Sequence, residues 1–132
     1  MFTLKSYLIT VVIFFAFDLT WLGLIAKKMY AEKLGYIMSP QVNWLPAILF
    51  YLLFVVGLLL MVIFPAIEKK SWTHALLYGF LFGLVTYATY DLTNLATLKN
   101  WPLSITIIDL IWGSFLSAAT SVISFFAIQK FL

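Results

Sequence analysis

Three aspartates, Asp18, Asp91 and Asp109, stand inside long apolar runs of the chain. A charged side chain at mid-membrane costs roughly 2.5–3.5 kcal/mol on insertion scales. Leaving all three to lipid would be a heavy penalty, so they are expected to face one another, a polar partner or water. Carboxylates gathered in a low-dielectric site cannot all stay ionised, and their protons then belong to the group as a whole. Such a group can carry protons, hold a cation, or serve as general acid and base. Asn94, one helical turn beyond Asp91, and Asn43 and Tyr51, at the opening of the second apolar run, supply polar company. Trp21, Tyr51, Tyr87, Tyr90 and Trp112 are the aromatic residues expected to wall a cavity around the acids.

The rest of the composition narrows the chemistry. Of 132 residues, 64% are hydrophobic and only 10% charged, where a soluble domain carries roughly 25% charged residues. Such a chain has little polar surface to offer water, and it reads as a membrane protein. With no cysteine, disulfides, thiolate metal sites and cysteine nucleophiles are excluded. The one histidine, His74, falls in a connection at the face opposite the acids. It cannot serve as a haem ligand there, and catalytic zinc usually takes several histidines. Three aspartates could in principle hold Mg²⁺ or Ca²⁺, but no metal and no cofactor is expected. The eight basic residues are all lysines and lie scattered, which argues against nucleic acid as a partner. Tyr90-Asp91 has the look of an intramembrane aspartyl protease, yet the partner Gly-x-Gly-Asp motif is missing.

A helix needs about 20 mainly apolar residues to cross the hydrocarbon. Four runs qualify, at 7–26, 45–65, 75–97 and 103–127. Backbone groups in lipid must bond within their own segment, so all four are predicted helices. The fold class is therefore all-α, a single polytopic transmembrane domain over residues 1–132. The N-terminal run lacks a small-x-small cleavage site and is read as a retained span. Pro46 and Pro102 suit first-turn positions, and Pro65 marks the exit of the second span. Trp44, Trp72 and Trp101 are placed at membrane boundaries. The segment 29–38 could form a short helix on the membrane surface, or remain a loop.

An internal echo runs beneath this. FDLTWLG (17–23) matches YDLTNLA (90–96), and NWLPAI (43–48) matches NWPLSI (100–105), in the same order. This suggests a two-helix duplication whose halves run parallel, related by an axis along the membrane normal.

Geometry then brings the acids together. Asp18 and Asp91 lie near the C-terminal ends of parallel spans, and Asp109 near the start of an antiparallel one. At 1.5 Å per residue each falls about 9–12 Å below the same face. Asp91 and Asp109 are equally far from Asn100, hence level across a hairpin. Gly79, Gly83, Tyr87 and Asp91 recur every four residues on one helix, as do Asp109, Gly113, Ser117 and Ser121 on the next. Small residues allow close backbone approach, and hydroxyls can bond between helices. These faces look inward.

The motifs FDLTWLG, NWLPAILFY (43–51), YDLTNLATLKNWP (90–102) and IDLIWG (108–113) resemble those of a family of small bacterial membrane proteins, domain of unknown function 2177. The likeness covers essentially the whole chain. It implies a four-helix protein of the bacterial inner membrane and carries no assigned activity or catalytic residue. Lysines divide four against four between the two faces, so the positive-inside rule leaves orientation undetermined. Both termini are placed in the cytoplasm on the shortness of the N-terminal tail. The leading expectation is a protein that binds or transports a small amphipathic or lipid-like ligand, a proton or a cation. Two others stand beside it: acid–base enzymology on a lipid or isoprenoid substrate, and an accessory subunit whose acids serve assembly. Membrane lipids are expected partners, and an oligomer is compatible with the sequence.

Overall fold

The computed structural model describes residues 3–131, all helices and connections, with no strand among the described residues. Four helices are long and apolar enough to cross a membrane: α1 (Leu4–Ile25), α3 (Trp44–Glu68), α4 (Trp72–Thr97) and α5 (Leu103–Phe131). A fifth, α2 (Lys27–Leu34), follows α1 directly. It falls on the segment for which a surface helix or a loop was expected.

Local chemistry sets the ends. Thr3 and Ser6 form a reciprocal capping box at the start of α1, with Ser6 N–H donating to Thr3 Oγ1 at 3.0 Å. Ser71 caps α4 by accepting the His74 N–H at 3.1 Å. This satisfies donors that have no partner within the helix. The turn between α4 and α5 hinges on Asn100, at φ 62°. Asparagine enters this left-handed region more readily than most residues. The helix of the second span runs on past Pro65 to Glu68. The preceding turn, Leu59–Ile63, is a π-helix, and such a turn admits the break in bonding that proline imposes. A second π turn, Trp21–Ile25, closes α1.

Packing is inside-out relative to a soluble protein. Large apolar side chains such as Leu77, Met61 and Ile111 point outward, while Ser6, Thr10, Thr106, Ser117, Thr120, Ser121 and Ser124 are buried. Lipid is the solvent such a surface suits, and polar atoms are sequestered from it. All eight lysines are exposed near the helix ends and connections. An apolar cluster centred on Phe14, Phe54, Leu58, Leu59, Ile63 and Leu116 joins α1, α3 and α5.

α4 and α5 pack along their length, and glycine makes this approach feasible. A Cβ on Gly79 would come within 2.7 Å of Ser121 Oγ and 2.9 Å of the Ser117 carbonyl. A Cβ on Gly83 would run into the Gly113 carbonyl oxygen, which is backbone and cannot turn aside. The buried hydroxyls of Ser117, Thr120, Ser121 and Ser124 make no hydrogen bond. These four hydroxyls thus make none of the bonds between helices that such groups can provide, and the side chains contribute smallness to the packing. The first pair of spans does not reproduce the second pair's packing, because α1 leans more on α5 than on α3. Trp44 and Trp72 are exposed, whereas Trp101 is buried and donates to Thr106 Oγ1 at 3.0 Å.

Gly83→Ala should cost about 1–3 kcal/mol of stability in detergent by overpacking a tight interface, seen as a lower unfolding midpoint. Gly23→Ala should not, since its Cβ would meet nothing within 4 Å. Denaturant titration followed by circular dichroism measures both; equal midpoints would contradict the packing described.

Candidate functional site

Each acid is held inward by its helix. Asp18 is 4% exposed, Asp91 0% and Asp109 7%. Asp91 lies on the glycine face of α4, one turn beyond Tyr87, and Asp109 one turn before Gly113 on α5. The tight turn at Asn100 sets these two helices antiparallel and brings the two carboxylates side by side. Neither oxygen of Asp91 has a hydrogen-bond partner. Two adjacent buried carboxylates repel unless a proton or a cation lies between them.

Asp109 has a further neighbour from outside the spans. The Tyr30 hydroxyl of α2 donates to Asp109 Oδ1, and the Trp21 indole N–H donates to the Tyr30 oxygen at 3.3 Å. Burial and then the Asp109 carboxylate push the Tyr30 phenol above its ordinary range, so Tyr30 keeps its proton and remains the donor. A second bond docks the connection after α2: Tyr36 donates to the Asn100 carbonyl at 2.5 Å. The short helix and the connection after it are thus tied, through Tyr30 and Tyr36, to the acid end of the bundle.

Asp18 sits apart from the pair. The Trp112 indole N–H and the Tyr51 hydroxyl face its carboxylate, and the indole N–H closes no hydrogen bond. Trp112 stacks on Trp21, with ring centroids 4.6 Å apart and planes 10° from parallel. The Tyr87 ring lies against Gly113, where any Cβ would collide with it.

These groups surround one cavity of about 460 Å³. α1 contributes Asp18, Trp21 and Leu22, α2 contributes Tyr30, and α3 contributes Ala47, Phe50 and Tyr51. Thr86, Tyr87 and Tyr90 come from α4, and Asp109 and Trp112 from α5. That volume falls in the usual range of small-molecule sites, about 300–1,000 Å³. No basic residue lines it, and no ion pair reaches the three acids among the described residues.

Of the residues singled out in the sequence, Asp18, Asp109, Trp21, Tyr51 and Trp112 line the cavity, as do Tyr87 and Tyr90. Asp91 stands beside Asp109 and does not line it. Asn94 is half-buried and faces Tyr90. Asn43 does not join the site. It is exposed at the N-terminus of α3, its side chain caps nothing, and it precedes Ala47 by a full turn. The three acids are therefore a pair and a single residue across a shared cavity. Among the described residues no group of three metal-ligating side chains could hold a metal ion. Sequence reasoning missed Leu22, Ala47, Phe50 and Thr86 on the cavity wall, and above all Tyr30. Its only signal is an aromatic hydroxyl in a weakly amphipathic segment directly after a span.

Tyr30→Phe removes the donor to Asp109 and the acceptor for Trp21. The cost should be about 1–3 kcal/mol of local stability, read as faster amide hydrogen exchange over Lys27–Leu34. Unchanged exchange there would show that α2 is not held through this hydroxyl.

No curated protein and no solved structure matches this chain. The family described as "Predicted membrane protein (DUF2177)" matches residues 3–126, nearly its whole length. Four helices long and apolar enough to cross a membrane fit that description, and the chain belongs to this family of membrane proteins.

Proposed function

We propose that the protein binds a small amphipathic or lipid-like molecule in the cavity beside Asp18 and Asp109, as a multi-pass protein of the bacterial inner membrane. The observation that carries this reading is the cavity itself: about 460 Å³, walled by aromatic rings, with two buried carboxylates on its surface. Acids that only tied helices together would be expected to fill their surroundings with hydrogen-bond donors. Here Asp109 takes the Tyr30 hydroxyl and Asp18 faces the Trp112 indole and the Tyr51 hydroxyl, yet both also border open space, and behind them both oxygens of Asp91 go without a donor. An apolar body would lie against Trp21, Trp112 and Tyr87, and a polar end against the carboxylates. This division matches the general build of small-molecule sites, mostly apolar with a few placed polar groups.

Photolabelling of the protein in maltoside micelles tests the reading, with a long-chain alcohol carrying a diazirine as the probe. Adducts should appear on peptides containing Trp21, Tyr87 or Trp112. Ala47→Trp, which fills the cavity from α3, should remove most of them. Labelling confined to outward residues such as Leu77 and Leu81, or unchanged by Ala47→Trp, would overturn the proposal.

A further inference from the structure

The walls of the cavity say more about charge than about shape. Its two titratable acids, Asp18 and Asp109, face it from α1 and α5, and Asp91 stands directly behind Asp109. Opposing charge is missing from the protein: the lining has no lysine, arginine or histidine, and all eight lysines are exposed near the helix ends and connections. The remaining walls are mostly rings, with Leu22, Ala47 and Thr86 among them, and Trp21 and Trp112 stack on one another. Ring faces attract cations, tryptophan most strongly, and the attraction grows when water is excluded.

We infer that the cavity is built for an organic cation, an ammonium-type head against Asp18 and Asp109 with its apolar substituents on the Trp21–Trp112 stack. This rests on the cavity-binding reading above and adds the ligand's charge to it. Other classes fit the lining less well. An anion would meet carboxylates with no basic residue to offset them, at a distance where water screens little. A neutral amphiphile would leave the acids to be neutralised by protons and would gain nothing from their charge. An inorganic divalent ion needs several oxygen ligands converging on one point. The pair and the single acid do not so converge, and the space is far larger than such an ion. A quaternary or alkylated ammonium satisfies all three conditions at once: diffuse positive charge, apolar bulk, and no demand for hydrogen-bond acceptors in fixed directions.

Two probes of nearly equal shape separate charge from size. Benzyltrimethylammonium carries the cation, and neopentylbenzene replaces its nitrogen with carbon. Binding is followed by quenching of tryptophan fluorescence in maltoside micelles, for wild type, Asp18→Asn, Asp109→Asn and Ala47→Trp. The cation should bind the wild type about tenfold or more tightly than the neutral probe. Each asparagine variant should lose most of that preference while still binding the neutral probe, and Ala47→Trp should weaken both. Because the wild-type comparison needs no variant, a folding defect in the asparagine proteins leaves it standing. Equal affinity for the two probes, with both lost in Ala47→Trp, would overturn the cation inference and leave the cavity reading intact. Failure of both probes to bind would sink the two together. A cation preference that survives both asparagine substitutions in folded protein would also overturn the inference, since its source would lie elsewhere.

Discussion

A carboxylate in an apolar medium must find a proton, a counter-ion or a wet surface, because the cost of an isolated buried charge exceeds what packing can offset. Three such groups in a chain of 132 residues set the terms for the whole bundle. They cannot turn outward, where Leu77, Met61 and Ile111 present only hydrocarbon. The helices are accordingly arranged so that each acid points to the interior, and the interior is kept open where two of them emerge.

The rest of the architecture serves that arrangement. Gly79 and Gly83 let α4 approach α5 closely enough to bring Asp91 level with Asp109, and Gly113 leaves room for the Tyr87 ring beside them. The apolar cluster around Phe14, Phe54 and Leu116 packs α1 and α3 against α5. The helix α2, outside the spans, reaches back through Tyr30 to one of the acids. Stability and site share the same residues here. A glycine that is needed for packing also sets the height of a carboxylate, so changes on the α4–α5 interface should be felt in both.

Much of this was legible in the sequence because a bilayer constrains a chain so tightly. Apolar runs near 20 residues report helices directly, and the spacing of Asp91, Asn100 and Asp109 sets two acids level on a hairpin by arithmetic alone. The aromatic walls followed from placing Trp21, Tyr51, Tyr87, Tyr90 and Trp112 at the depth of the acids. What escaped depends on contacts that periodicity does not encode. Tyr30 reaches Asp109 only because α2 folds back over the bundle, a tertiary event with no local signature. Asn43 has the right residue type at nearly the right depth, yet it lies at the helix end and remains exposed. The helix runs on past Pro65, because a proline's effect on its helix depends on whether the preceding turn can loosen, and here Leu59–Ile63 does. The repeated motifs share local sequence, but the two halves pack differently, so likeness along the chain did not predict likeness in the pairing of helices.

The sequestration of the acids is tested most directly by proximity within one chain. The protein has no native cysteine, so Asp91→Cys combined with Asp109→Cys leaves only the two introduced thiols. A short thiol-to-thiol cross-linker should join them within a single chain in native membranes. The outward pair Leu92→Cys with Ile107→Cys should give far less product. Absence of the intrachain product, with both thiols reacting readily with a lipid-soluble maleimide, would contradict an interior shared by these acids.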